Sequence, residues 1–370
     1  MGVKPMGKSV MQQMLEDIRR NKTKGATAVD DIIEQLEEKR MEDFYQTTLD
    51  DYESFDNQAW HKGDGYKLPK FKDVEDKLEG LTEGLYLFAA ESNVGKSGLM
   101  LNLLYDACMC EENKLFGIYF SLDDGMNDII ARTIAMQEAI PISVVAKPQR
   151  YQNLIDLSEE GSSTFQEWLD KRIIGLEKLK STNQRFKIVD GNRIKTSEDL
   201  EKYIKDAIIY VKSFDHDNNI IIAIDAINDI NLQGKFNSTS DKHTAIAKMV
   251  KSWAATEFHI PIFASIHLRK LNANRRPTLD DLKESVEYQF EANLVWLLYS
   301  DVSKNQQSAK IYWNQEGHVG KLPIIEMHWA KNKQSSYKGH SFCFFSPELS
   351  RAAVCSPEAS KRYDVLLYEN

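Results

Sequence analysis

The chain has 370 residues, 42% hydrophobic and 28% charged, enough for one large domain and a smaller appendage or for two modest domains. Lys and Arg number 47 against 56 Asp and Glu, a net charge of −9, which excludes a protein that holds nucleic acid by bulk positive charge alone but not one with a local basic site. No run approaches the ~18 apolar residues of a membrane span, and the N-terminus MGVKPMGKSV lacks the apolar core of a secretory signal, so no membrane partner is expected. The expected location is the cytoplasm, or the host cytoplasm if the chain is viral.

In chain order, a helix around 9–20 is expected first, basic at its end through Arg19, Arg20, Lys22 and Lys24. Val29, Ile32, Ile33, Leu36, Met41 and Phe44 then recur at helical spacing, predicting an amphipathic helix over 28–45 with an acidic outer face. The segment 26–58 alone nets −9, the excess of the whole chain. Residues 57–72, rich in Gly, Lys and aromatics, read as a linker. The domain boundary is therefore expected near 70, giving a helical N-terminal segment and linker over 1–70 and a main domain over 71–370.

From residue 84 short apolar runs alternate with helical stretches. Strands are expected at 85–89, 116–120, 186–189, 220–224, 262–266 and 294–298. This pattern predicts an α/β fold with a mainly parallel sheet, whose ligands bind just beyond the carboxyl ends of the strands. Cys108, Cys110, Cys343 and Cys355 have neither the density nor the spacing of a disulfide or zinc framework and read as reduced packing residues.

The first run leads into Ala90-Glu91-Ser92-Asn93-Val94-Gly95-Lys96-Ser97, followed by a helical stretch from Gly98. This is a phosphate loop with Ala90 in place of its first glycine. Backbone N–H groups at the helix start cradle phosphates, Lys96 reaches the terminal ones, and the Ser97 hydroxyl ligates Mg²⁺. ATP and Mg²⁺ are therefore the expected ligands, with Ala90 to Gly98 as the nucleotide-binding segment. The fourth run ends in Asp225, read as the carboxylate that holds the Mg²⁺ shell. Hydrolysis also needs a carboxylate that orients the attacking water, and Asp123 and Asp124 follow the second strand.

The order of phosphate loop, strand-Ser121-Leu122-Asp123, Asp225, then a strand ending Ser265-Ile266-His267-Leu268-Arg269 resembles the RecA-like motor of DnaB-like hexameric replicative helicases. Arg275-Arg276-Pro277, Asp281-Leu282-Lys283-Glu284-Ser285, Glu291-Ala292-Asn293-Leu294-Val295 and Ala330-Lys331-Asn332-Lys333 extend the resemblance over about residues 74–352. It implies a P-loop ATPase that forms a ring, expected to be a hexamer, moves along single-stranded DNA and unwinds duplex during replication. Asp123 falls where the family has its catalytic glutamate, a shorter arm by about one C–C bond; a misplacement of ~1 Å can cost ~100-fold in rate. His267 falls at the residue that senses the terminal phosphate, where His resembles the phage and mitochondrial ring helicases. Lys331 and Lys333 align with cations that reach the neighbouring subunit's ATP; lysine at 333 lacks the bidentate fork of the family's arginine.

The resemblance also places a channel loop after Asp225, where Gly234, Lys235 and Asn237 would track DNA phosphates, and a second loop carrying Arg269, Lys270, Arg275 and Arg276. Residues 265–340 carry eleven Lys and Arg against eight Asp and Glu, a local positive balance. About 70 residues ahead of the motor are too few for the family's helical collar, so only its linker helix, which packs on the next subunit, is expected there. A loader or primase is the further partner the resemblance implies. The compact length and His267 fit a phage-encoded member. Two other readings stay open: a RecA/RadA-like recombination or repair ATPase, and a catalytically weak, nucleotide-gated DNA-binding member of the fold, to which Ala90, Asp123 and Lys333 point.

Overall fold

A computed structural model describes residues 28–61, 65–157, 162–271, 275–282, 286–314 and 320–368. The helix expected over 9–20 lies outside them. The chain divides into two compact units, 1–64 and 65–370.

In the first unit one helix, Ala28–His61, runs for 34 residues, about 50 Å at ~1.5 Å per residue. It continues well past the expected end at 45, because no Gly or Pro interrupts residues 26–62. Its polar side chains also turn back on the helix itself. The Thr47 and Thr48 hydroxyls donate to the carbonyls of Asp43 and Phe44, and the Gln46 amide donates to Asp50. Phe44, Tyr52 and Phe55 stand exposed along it.

The second unit begins earlier than the expected boundary near 70. Residues 65–71 are not linker: Leu68 and Phe71 are buried, Tyr66 bridges to Leu81, and the backbone N–H of Lys70 donates to Asp106 at 2.8 Å. Apolar anchors at Leu68 and Phe71 pin this stretch, and Lys67 and Lys70 lie exposed on its outside.

All six expected strands form: β1 Gly84–Ala90, β2 Leu115–Ser121, β3 Phe186–Asp190, β4 Asn219–Asp225, β5 Pro261–His267 and β6 Leu294–Tyr299. They lie parallel in the order β3-β2-β4-β5-β1-β6. Beyond β6 the sheet continues antiparallel through β8 Leu322–Asn332, β9 His340–Ser346 and β10 Arg351–Val354, while the two-residue β7, Tyr312–Trp313, pairs with β8. Both faces are covered. One carries Tyr86, Phe88, Phe263, Trp296 and Trp329 against the helix Lys96–Met109; the other packs Ile222, Ile224 and Ile262 against the helices Ser197–Lys212 and Thr239–Ser252. Burial from both sides removes the polar alternation of a half-exposed strand, so β1 and β2 are buried at every position. Each large apolar side chain so covered contributes about 1.5–3 kcal/mol. The two edges of the sheet, β3 and β10, are five and four residues long.

Candidate functional site

The register brings the chemistry to one edge. Ala90 ends β1 level with His267 at the end of β5, and Ser121 ends β2 level with Asp225 at the end of β4. Chain segments leaving these ends enclose a cleft of about 490 Å³ lined by residues 91–98, Asp123, Asp124, Arg132, His267, Ser303, Phe345 and Ser350 among others.

Residues 91–95 turn from β1 into the helix Lys96–Met109, with Asn93 at φ 65° and Gly95 at φ 104°. A Cβ on Gly95 would approach the Phe345 ring to 2.8 Å, so both the left-handed backbone and the packing of β9 call for glycine here. No side chain caps the helix start. Its first N–H groups therefore remain available to an anion, and the helix dipole favours one. Ala90, by contrast, is part of β1 and buried; its carbonyl accepts the N–H of Leu268 at 3.1 Å.

Lys96 is buried, and its ammonium lies 3.2 Å from Nδ1 of His267. Burial lowers the Lys96 pKa, opposed by the carboxylates of Asp225, Asp123, Asp229 and Asp124. Burial and then the Lys96 charge lower that of His267 below its ordinary 6.5. A neutral ring that accepts at Nδ1 carries its proton on Nε2. Nε2 faces the Asp123 carboxylate at 3.8 Å. Lys96, His267 and Asp123 thus form one line across the cleft.

Asp225 is 2% exposed and is held by two hydroxyls, Tyr119 on one oxygen and Ser265 on the other. Both donors follow from strand geometry: Tyr119 is level with Ala223, two residues back on the same face as Asp225, and Ser265 follows Ala264, which is level with Ile224. Burial and the adjacent carboxylate push the Tyr119 pKa well up, so the phenol stays a donor. The Asp225 carboxylate and the Ser97 hydroxyl are hard oxygen donors of the kind that suits Mg²⁺, which keeps most of its waters. Such a site needs no cluster of three protein ligands, and among the described residues there is none.

The structure separates the two acids after β2. Asp124 is paired with Arg132 at 2.6 Å, whereas Asp123 faces the cleft with its carboxylate open. Residues that sequence reasoning missed also converge here. Arg132 lines the cleft, the Asn228 side-chain carbonyl accepts the backbone N–H of His267 at 3.3 Å, and burial raises the pKa of Asp229 beside Asp123 and His267. Asn228 and Asp229 follow Asp225 closely enough that their proximity to the phosphate loop was the available signal.

Lys331 and Lys333 are not brought to this cleft. Asn332 pairs with Leu294 at the start of β6, so both lysines leave β8 at the amino end of the parallel strands. Lys331 opposite Val295 is level with Leu87, roughly 10 Å of strand short of Ala90 and roughly 10 Å to the side. The Lys331 ammonium donates to the carbonyls of Gln289 and Phe290. Burial, then Lys333, then Lys251 push its pKa down to about 8.

Gly234, Lys235 and Asn237 lie exposed in the segment between β4 and the helix Thr239–Ser252, with Gly234 at φ 139°. Lys270 is likewise exposed. Arg275 and Arg276 differ from the expectation of free cations. Arg275 forks onto Asp281 at 2.7 and 2.6 Å, and Arg276 forks onto the buried Glu326 at 2.6 and 3.0 Å and stacks over Tyr299. A planar guanidinium matches a carboxylate with two parallel bonds, and these partners take up the forks. A second cavity, about 270 Å³ and lined by Cys108, Phe116, Tyr210 and Phe214 among others, opens at the amino end of β2 and contains none of the motif residues.

The chain is similar to several known proteins. The family described as DnaB-like helicase C terminal domain matches residues 68–351. A probable replicative DNA helicase of Trieres chinensis is 22% identical over 284 residues, covering 71% of this chain and 55% of that protein. The chain thus spans about half the length of that curated relative. A solved ATPase domain superposes with a TM-score of 0.64 at 18% identity, over 83% of this chain and 99% of its own. A solved DnaB-like replicative helicase, described with its interactions with primase, superposes at 0.62 and 19% identity, over 94% of this chain and 75% of its own. These two likenesses show a shared RecA-like fold.

Proposed function

The chain belongs to the DnaB-like helicase C-terminal domain family, and from that premise we propose that it is an ATP-driven DNA helicase: a homo-oligomeric ring, a hexamer, that moves along single-stranded DNA and opens duplex during replication. The observation that carries this reading is the line Lys96–His267–Asp123 across a cleft whose floor is an uncapped helix start. Phosphates of ATP bind the N–H groups of 93–98, and Lys96 neutralises the terminal phosphate. Asp123 orients the attacking water, and His267 contacts the terminal phosphate and reports its loss to the strand end that continues into Arg269 and Lys270. Ser97 and Asp225 would hold Mg²⁺, and when bound the ion would supply positive charge against the phosphates.

Two features support a site shared between subunits. The cleft holds Arg132 and Lys96 but neither of the family's trans-acting cations, and Lys251, Lys331 and Lys333 gather at the opposite end of the sheet, where they repel one another. An anion brought by a second copy relieves that repulsion. Single-strand contact falls to Lys235, Asn237, Arg269 and Lys270, with Gly234 letting the backbone approach closely. A primase or loader as partner rests on the likeness to the solved helicase alone.

The test is mass measurement of the full chain with ATP, Mg²⁺ and single-stranded DNA, beside DNA-stimulated phosphate release and unwinding of a forked duplex. A hexamer with all three activities is expected. Strand pairing without unwinding assigns the chain to the recombinase-like reading, and DNA binding gated by nucleotide without turnover assigns it to the catalytically weak one. That last reading draws on Asp124, whose engagement with Arg132 leaves the short Asp123 without help.

A further inference from the structure

Glu91, the second residue of the phosphate loop, lines the cleft and is held there by groups from outside the loop. Its carboxylate is paired with the Lys304 ammonium, and its Oε1 accepts the backbone N–H of Leu271 at 3.2 Å. The side chains of Lys304 and Glu91 are only 24% and 12% exposed, which makes this a shielded pair rather than a solvated surface contact. Lys304 belongs to the one-turn helix Asp301–Asn305 directly after β6. That helix is fixed by the buried Asp301, which accepts the side chain of Asn305 and the backbone N–H groups of Lys310 and Ile311.

Leu271 follows the two exposed cations Arg269 and Lys270. Three residues before it, Leu268 donates its N–H to Ala90 at 3.1 Å. The segment after β5 is therefore tied twice to the phosphate loop, by the Ala90 carbonyl and by the Glu91 carboxylate, with the two cations between the ties. A carboxylate is a costly choice next to an anion site, since it repels the phosphates the loop collects. The charge therefore asks for a use.

We propose that Lys304 is a positioning residue: it aims the Glu91 carboxylate at the Leu271 N–H, so that phosphates in the cleft press the carboxylate onto this bond and fix Arg269 and Lys270 for a single strand. Nucleotide then tightens DNA, and by linkage DNA tightens nucleotide by the same factor. The inference rests on the nucleotide and DNA reading given above.

The experiment measures binding of a fluorescent oligothymidylate to the full chain with and without a non-hydrolysable ATP analogue and Mg²⁺, and analogue binding with and without the oligonucleotide. The unaltered protein is expected to show a coupling factor of about 5–150. Lys304→Met brings it to within about twofold of unity, with a fall in nucleotide affinity without DNA smaller than the coupling lost, since the unpaired Glu91 carboxylate repels the phosphates, and Lys304→Arg restores both. Glu91→Gln, which leaves no charge unpaired, gives the same loss of coupling, and the double variant loses no more coupling than either single one, as two members of one contact should. Retention of full coupling in Lys304→Met overturns the proposal, as does a loss of nucleotide affinity without DNA as large as the loss of coupling. If the unaltered protein binds neither ligand, the reading of the cleft falls and this inference with it; coupling that survives in both proteins overturns the inference alone.

Discussion

At the carboxyl end of the sheet Lys96, Asp123, Asp225 and His267 converge from the ends of four strands: Lys96 meets the His267 ring at 3.2 Å, two hydroxyls hold Asp225, and Asp123 lies 3.8 Å from His267. At the amino end Lys331 and Lys333 leave β8, where Lys331 donates to backbone carbonyls and a third lysine, Lys251, stands nearby, opposed by the single carboxylate of Glu291 that acts on Lys331. The first region is organised before any ligand arrives. The second stores electrostatic repulsion, which the fold tolerates at the surface and which an incoming anion would relieve. A pair of regions so unequal suggests that one chain supplies the floor of a site and the cations of the next.

The largest effect expected is at the organised end. Lys96→Ala should lower DNA-stimulated phosphate release by about 10²–10³-fold, the usual cost of removing one charge-stabilising donor. Next, Lys333→Ala should lower it by roughly 10–100-fold in the assembled protein, and a mixture tests the comparison directly. Combined in equal amounts, the Lys96→Ala and Lys333→Ala chains should recover activity, since about a quarter of the interfaces in a random symmetric ring would pair an intact loop with an intact lysine. If mixing recovers nothing, the lysines do not act across an interface.

His267 gives a smaller, pH-dependent effect. Its pKa is lowered, so the neutral ring that accepts from Lys96 persists below the ordinary 6.5, and turnover should fall only at lower pH as Nδ1 takes a proton and repels the ammonium. His267→Gln, which keeps an acceptor and a donor, should retain part of the DNA stimulation that His267→Ala loses, measured as the ratio of stimulated to basal rate.

The smallest effect concerns stability. Burial outweighs the Arg276 charge and raises the Glu326 pKa to about 7. A folded value above the unfolded one means that the contribution is complete below the ordinary 4.5 and is lost as pH rises through about 7. Glu326→Gln should therefore flatten the decline of thermal stability over that window. Arg276→Ala should steepen it and cost about 2 kcal/mol near neutral pH, less than a fully buried pair because the arginine is partly exposed.

The six parallel strands were legible because burial on both faces writes each as an uninterrupted apolar run, and the phosphate loop was legible because its chemistry is local. The antiparallel wing was harder to read. β8 mixes buried Ile324 and Ile325 with half-exposed His328 and Lys331, opens next to Pro323, and is irregular in register opposite β6 between Val295 and Trp296. Partners distant in sequence left no trace in it either. Glu326 lies 50 residues from Arg276, and Lys304 more than two hundred from Glu91, so the forked arginines read as free cations and Glu91 as one more loop residue. The lesson is that spacing reports chemistry carried by one segment, while the charge state and availability of a side chain depend on what the fold sets beside it.

The short outer strands have a consequence for a protein proposed to gather in several copies. β3 exposes Lys187 and β10 exposes Arg351, each on a strand of no more than five residues. A short, positively charged border offers a poor template for strand addition, so copies crowded together are discouraged from fusing their sheets into an open-ended stack. Association is thereby left to helices, loops and side-chain pairs, contacts that open and re-form without unravelling a hydrogen-bonded ladder.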